Sequence, residues 1–533
     1  MPLTKLQFQP GINRESTSYS NEGGWYDMDK VRFRMGYPEK IGGWTKLGLK
    51  SFLGSCRALH PWRTIALNNY LGVGTSDKYY IEEGQGYYDI TPIRETTSAG
   101  DVTFAASDGS STITVTDTNH GAVIGDFVTF SGAVSLGGLV TADVLNQEYK
   151  INSIVDSNSY TITAREVNSV AVITVDGEYT PVAVTANTSD SGNGGSSVVG
   201  AYQINTGLDT SVFGNGWGAG TWSRGAWNSA AVIDTLTDTL RLWSHDNFGE
   251  DLIINVYNGG IYYWDASVVS PLTSRAVPLS SLAGASNAPT VAAKVIVSDV
   301  DRHVIAFGAN SLGSATQDPL LIRFSDQQNV ADWTPTTDNT AGDLVVGSGS
   351  RIITAVETRQ QILVFTDTSL HAMQYLGAPF TFGINMISEN VTIASPNAVI
   401  AIEDNVFWMG NNEFYAYGGA VQKLPCTVRD YVFSDFNQNQ SEKVFAASNT
   451  SFSEVWWYYP SADSANVDRY VVYNYQQNIW YYGTLTRSAW IDRGLEQNPI
   501  AAGLDGYLYT HENGFDDGST APATGISAHI ESS

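Results

Sequence analysis

From about residue 228 onward the chain repeats one local pattern, a polar or glycine-containing turn followed at once by an aromatic strand. Asn258-Gly259-Gly260 precedes Ile261-Tyr262-Tyr263-Trp264, and Asp367-Thr368-Ser369 precedes Leu370-His371-Ala372-Met373. Gly410-Asn411-Asn412 precedes Glu413-Phe414-Tyr415-Ala416-Tyr417, Gln476-Gln477-Asn478 precedes Ile479-Trp480-Tyr481-Tyr482, and Asp505-Gly506 precedes Tyr507-Leu508-Tyr509. Apolar runs such as 304–307, 362–365, 406–409 and 470–473 stand before these turns. A strand-turn-strand unit cannot bury both of its faces alone. Repeats of about 40–50 residues solve this by stacking as the blades of a β-propeller. The spacing is irregular, with 29 residues from Gln476 to Asp505 against 65 from Asn411 to Gln476, so divergent blades with long loops are expected.

The expected fold class is therefore all-β: an irregular β-propeller of about six to seven blades, with an inserted small β-barrel or sandwich domain and an extended N-terminal arm. Composition agrees. Only 15% of the 533 residues are charged, while 51 are Gly and 12% are aromatic, which favours short strands and tight turns over helices. Residues 434–444 are read as a short helix, with little helix elsewhere.

Residues 1–54 read as an arm, punctuated by Pro10-Gly11, Gly23-Gly24, Gly36 with Pro38, and Gly42-Gly43, with Trp25, Tyr26, Phe33, Tyr37 and Trp44 between the breaks. Such an arm docks either on its own propeller or on a neighbouring subunit. Residues 55–95 read as a first blade, with turns at Thr75-Ser76-Asp77 and Glu83-Gly84-Gln85-Gly86. Residues 96–200 are rich in Thr, Ser, Val, Ala and Asp and contain no Trp. Alternating runs such as Thr112-Ile113-Thr114-Val115, Tyr160-Thr161-Ile162-Thr163 and 170–175 predict the inserted β module, with the Ser/Gly run 189–197 as its closing linker. Residues 201–227 form a Gly/Trp-rich connector, 228–515 the remaining blades, and 516–533 the start of a C-terminal β segment.

No catalytic or metal-binding pattern stands out in the sequence. The seven histidines (His60, His120, His245, His303, His371, His511, His529) show no metal-ligand spacing, and each is read as packed or exposed. No G-x-S-x-G elbow, Walker loop or EF-hand pattern occurs. Gly214, Gly216, Gly218 and Gly220 superficially resemble a phosphate-binding loop, but neither a strand before nor a helix after them is evident, so backbone threading past packed Trp residues is the preferred reading. The stretch 325–334 (SDQQNVADWT) is similar to the Asp-box of sialidase propellers but lacks its S-x-D-x-G-x-T-W spacing; Asp326 and Asn329 are read as turn formers and Trp333 as cover for a blade edge. Glu454-Val455-Trp456-Trp457-Tyr458-Tyr459 could stack sugars, but a buried aromatic strand is preferred. No catalytic, cofactor-binding or metal-ligating residue is assigned, no cofactor is expected, and the chain is read as a non-enzyme.

Net charge is −26, from 54 acidic against 28 basic residues. That disfavours phosphate binding over a broad surface. It serves solubility, or a surface that DNA passes without sticking, or both. Cys56 and Cys426 make no disulfide framework, the N-terminus has no apolar signal segment, and no run of 18 apolar residues predicts a transmembrane helix.

The stretch FQPGINRESTSYSNEGGWYDMDKVRFRMGYPEKIGGW (8–44) resembles the opening of the tail nozzle, tail hub or packaged-DNA stabilization proteins of short-tailed bacteriophages, with their Pro-Gly-Ile turn, V-R-F-R-x-G-x-P-E-K segment and Gly-Gly-Trp. FSDQQNVADWTP (324–335) is similar to that family's internal signature, and 351–460 resembles its propeller part. The segments 120–133 and 145–163 resemble a small β module common in phage tail proteins. The resemblance implies a virion structural protein made in the host cytoplasm. It implies a homo-oligomer, a hexameric ring below portal and adaptor, that extends and closes the tail channel, retains packaged DNA and conducts it on ejection. Implied partners are the head-to-tail adaptor and a tail needle, plug or tailspikes. Double-stranded DNA would pass without sequence-specific binding. Family members carry further β structure after the propeller, and 528–533 read as a strand just begun. The alternative is a virion-associated propeller that binds or hydrolyses glycans, for which paired carboxylates of raised pKa in a pocket would be required.

Overall fold

The structure, a computed structural model, describes residues 8–17, 20–167, 172–173, 179–180, 182–211, 240–377, 379–518 and 522–532. Seven four-stranded antiparallel sheets form a β-propeller. Blade 1 spans 56–89, blade 2 243–278, blade 3 294–345, blade 4 352–389, blade 5 399–423 and blade 6 445–484. Blade 7 takes three strands from 489–511 and its outermost strand, Trp44–Lys46, from the expected arm. The first strands of successive blades contact one another in order, and that of blade 7 meets that of blade 1, so the ring closes.

Middle strands are buried on both faces because each blade is covered by its neighbours. Every residue of Glu454–Tyr459 and of Ile362–Thr366 is buried. Aromatic bulk fills the wedge between blades, with Trp408, Trp456, Trp457 and Trp480 in one continuous core. The irregular spacing of the turn-strand mark now has a cause. The marks at 258–264, 367–373, 410–417 and 505–509 join second to third strands, whereas 476–482 joins the third to the fourth.

The alternating strand direction sorts the loops onto two faces. Turns between first and second and between third and fourth strands lie on one face, here the turn face. Turns between second and third strands and the blade-to-blade links lie on the other, the link face.

Between blades 1 and 2 the chain builds a two-sheet sandwich. One sheet holds Ser153–Asp156, Ser159–Thr163, Thr112–Thr116, Thr103–Ala106 and Asp190–Asn193; the other holds Glu148–Lys150, Phe127–Ser131, Val199–Gln203 and Ile93–Thr96. Thr112–Thr116 shows the period of two that drives it, Ile113 and Val115 facing the core and the threonines facing out. The Ser/Gly run expected as a linker instead supplies the edge strand Asp190–Asn193, which pairs with Thr103–Ala106 through main-chain groups that need no β-branched side chain.

Trp25–Asp29 pairs antiparallel with His529–Ser532, and this ribbon lies along the outer strand of blade 6. Where a short helix is read at 434–444, the structure has a 3-10 stretch at Gln438–Lys443, broken at Gln440, preceded by a short helix at Arg429–Ser434.

Candidate functional site

The residues that carry the family resemblance build a clasp. Val31–Arg34 and Tyr37–Lys40 form a hairpin whose two turn residues, Met35 and Gly36, both have positive φ, the geometry that a two-residue turn between right-twisted strands requires. Arg32 leaves this hairpin pointing inward and is 1% exposed. Its Nε lies 3.1 Å from Glu454 Oε1, its Nη1 donates to Glu512 Oε2 at 3.0 Å, and the Phe452 ring sits 3.6 Å away. Glu454 also accepts from Trp456 Nε1 at 2.8 Å and from the Tyr481 hydroxyl, and Glu512 from Gly42 N and Asn449 Nδ2, both at 3.0 Å. Burial pushes the Glu454 carboxyl up, against the pull of Arg32. Arg14 docks the preceding segment: it pairs with Asp27 at 2.7 Å, donates to Tyr482 Oη at 2.9 Å and stacks on Tyr26 and Tyr431.

A second ionic knot fixes the sandwich to the propeller. Lys78, 2% exposed, donates to Asp89 at 2.6 Å, to Glu148 of the sandwich at 2.7 Å and to Gln203 at 3.3 Å. Arg275 of blade 2 closes the group at 2.8 Å from Asp89. Asp89 is half-buried, yet Lys78 and Arg275 hold its carboxyl below the ordinary range.

On the propeller axis lies a cavity of ≈ 190 Å³ lined by residues in or next to the first strands. On the turn face acids stand at or near the ends of these strands: Asp246 in blade 2, Asp299 after blade 3's first strand, Glu357 in blade 4, Glu403 in blade 5 and Asp492 in blade 7. A cleft of ≈ 520 Å³ opens there, lined by Asp246, Asn247, Phe248, Asp299, Arg302 and Gln328 among others. Glu357 accepts a hydrogen bond from Asp299 N at 3.1 Å. Burial first, then the neighbouring Asp299, Asp246 and Asp301, push its carboxyl up to about 7. Asp246 is also raised by burial, although it accepts from Val297 N at 2.8 Å. Beneath it the rings of His60 and His245 lie 4.7 Å apart, His60 bonded to Asn247 at 2.6 Å and His245 to the Tyr79 hydroxyl at 2.9 Å. Burial lowers the pKa of both, so they stay neutral. Sequence reading missed this carboxylate group. The one available signal was positional, an acid at the end of successive first strands, and it needs blade boundaries to be seen.

The motifs weighed in the sequence fall as follows. Asp326 accepts from Thr340 N at 2.9 Å, Asn329 N donates back to Asp326 O at 3.2 Å, and Trp333 is 1% exposed with its indole N–H on Val330 O. Trp456, Trp457, Tyr458 and Tyr459 are all buried and present no platform to solvent. His303 lies between Asp301 and Thr340, His511 accepts from Arg487 Nε, and His120 accepts from Ala122 N. Cys56 and Cys426 are free, and burial raises both thiols, Cys56 to about 12. The glycines at 214–220 and residues 212–227 of the connector lie outside the described residues; the connector's start at 201–203 belongs to the sandwich strand Val199–Gln203. Among the described residues no group of three or more His, Cys, Asp or Glu could hold a metal ion, and no helix is long and apolar enough to cross a membrane.

Among the exposed apolar surfaces, two lie on opposite sides of the ring. The outer hairpin of blade 4, Ser369–Gly377 with Thr381–Glu389, is the longest among the described residues, and its tip exposes Tyr375, Leu376 (59%) and Phe380 (74%). Across the ring, between blades 7 and 1, a groove of ≈ 270 Å³ is lined by Leu47, Pro61, Leu71, Ile491, Leu495 and Ile500 among others.

No family model and no curated protein matches the chain. Solved structures do. The chain is similar to the endosialidase of phage phi92 over 79% of its own length, at 11% identity and a TM-score of 0.20, and it spans 55% of the length of that chain. It is similar to a Bacteroides thetaiotaomicron protein of unknown function (79% of this chain, 97% of that one, 8% identity, TM-score 0.30) and to Hsv2 of Kluyveromyces lactis (49% and 69%, 9% identity, TM-score 0.28). At these values the likenesses carry no argument about activity, substrate or partner.

Proposed function

We propose that the chain is a structural subunit of a short-tailed phage tail, assembling as a hexameric ring that serves as nozzle or hub. In this reading the ring extends and closes the DNA channel below portal and adaptor, retains the genome and conducts it on ejection. It also contacts the adaptor and a needle, plug or tailspikes. The observation that carries the reading is the use made of the resembling stretch 8–44: Arg32, Arg14 and the Gly-Gly-Trp strand are spent on holding a rigid propeller shut, not on chemistry.

The propeller's own axis cannot pass a duplex, since ≈ 190 Å³ holds about six waters at ~30 Å³ each. A channel therefore has to lie between copies. Ring assembly needs two different, complementary patches per chain. The uncharged hairpin tip on blade 4 and the groove between blades 7 and 1 sit at opposite edges of the propeller, and the tip and the groove residues Glu82, Gln85 and Leu495 belong to turn-face loops. Copies joined through them close toward the turn face and place its acids on the bore. There the acids repel phosphate, and DNA slides without binding. The test is genome retention. DNA-filled particles with portal and adaptor but without this chain should become resistant to nuclease when the purified protein is added. Unchanged digestion, with no protein bound to the particles, would refute the role.

One observation favours a second reading, the carboxylates at the turn-face cleft. A Glu held near pH 7 beside a second acid suits a general acid for glycoside hydrolysis. Glycan turnover by the purified chain that Glu357→Gln abolishes would establish it.

A further inference from the structure

The axial cavity has an unbalanced lining. First strands of all seven blades border it, and in a chain of net charge −26 none of its lining residues is an Asp or Glu. Two of them are cations, Arg57 and Lys294. Arg57 is 5% exposed and satisfies one end of its guanidinium on Asp209 at 2.7 Å. Its Nε, buried, has no acceptor. Thr354 Oγ1, from blade 4, is likewise buried without a partner. Lys294 forms no ion pair and no hydrogen bond with the described residues. It is half-buried; desolvation disfavours the ammonium, and the charge of Asp246 opposes that.

Several other polar groups on the wall are already used. Trp243 and Trp490 donate to Thr75 O and Ser448 O, and the Ser244 hydroxyl donates to Asn255. What is left over includes two buried groups without a partner, Arg57 Nε and Thr354 Oγ1, beside the Lys294 ammonium, and no carboxylate to meet them. Unmet buried donors such as Arg57 Nε and Thr354 Oγ1 are costly, and native structures rarely leave them so.

We propose that the axial cavity is a binding site for one small inorganic oxoanion of the sulfate or phosphate type. Lys294 supplies the charge at the site, with Arg57 Nε and Thr354 Oγ1 as neutralised or neutral donors that turn to it as it binds. The volume of ≈ 190 Å³ admits a tetrahedral oxoanion and a few waters. It is below the ~300 Å³ at which pockets for organic ligands begin, so a sugar or nucleotide is excluded. The anion would tie the first strands of blades 1, 3 and 4 together at the axis and lock the closed ring of blades. Ligand that binds only the folded chain raises its stability by mass action.

The test uses the full chain and sodium sulfate, sodium phosphate and sodium selenate against sodium chloride at equal ionic strength. Wild type should show a saturable rise in unfolding midpoint with the oxoanions over the chloride control, and crystals grown with selenate should show an anomalous peak in the cavity. Lys294→Met removes the charge while keeping the stem, so it should fold. It should bind sulfate at least tenfold more weakly than wild type. Thr354→Val should weaken sulfate less than Lys294→Met. A Lys294→Met chain with the wild-type sulfate response would overturn the proposal, as would a wild-type response that is linear in salt with no selenate peak on the axis.

Discussion

At the scale of single residues, two buried charged groups decide the most. Arg32 and Glu454 are both fully enclosed, and removing one partner strands the other. Arg32→Met should cost about 3–5 kcal/mol in denaturant unfolding and expose residues 8–46 to protease, whereas adding Glu454→Gln to it should recover part of the loss. Neither residue was legible in the sequence: Arg32 reads as one more basic residue on a short strand, and its acids lie more than 400 positions away. Glu357 makes the second prediction. Its carboxyl, ordinarily near 4.5 and raised to about 7 by burial and acidic neighbours, holds its proton more tightly folded than unfolded. Its contribution is therefore full below about pH 4.5 and lost as the pH rises through 7. Glu357→Gln should flatten stability between those limits and raise it at pH 8 by roughly 1 kcal/mol, a figure reduced for partial solvent screening. Equal pH profiles for the variant and wild type would show that the carboxyl is already ionised at pH 5.

At the scale of elements, the sequence was readable wherever periodicity reports burial. Ile113 and Val115 alternating with threonines gave the sandwich, and the turn-plus-aromatic mark gave the blades. What periodicity cannot report is where in a blade a strand sits. The mark at 476–482 was therefore read as equivalent to those at 410–417 and 505–509, although it lies one strand later. Nor does it report pairing over a distance: Trp44–Lys46 closes blade 7 against Leu508–His511, and three residues carry too little pattern to announce that. Asp190–Asn193 was hidden for the opposite reason, being a strand made of loop-forming residue types. The hairpin of blade 4 carries the element-scale prediction. Leu376→Asp with Phe380→Asp adds two charges to an exposed tip, so the unfolding midpoint should stay within about 1 °C of wild type, surface changes being near neutral. Ring assembly, followed by light scattering, should be lost. Rings that survive the double substitution would remove the hairpin from the interface.

At the scale of the whole molecule, closure and charge belong together. The N-terminal segment is committed twice to its own propeller, through the Arg32 clasp and through the seventh blade, and the sandwich is pinned by Lys78. The chain is thus a stiff block with an acidic turn face and two apolar patches at opposite edges, a shape suited to a ring and to a channel wall that DNA slides past. The direct test of that account is the mass of the wild-type protein in solution by light scattering, with negative-stain images of the same sample. The account predicts a species near six times 57.6 kDa, seen end-on as a ring around an open channel. A monomer of 57.6 kDa at the highest concentration the protein tolerates, with no ring in the images, would contradict it.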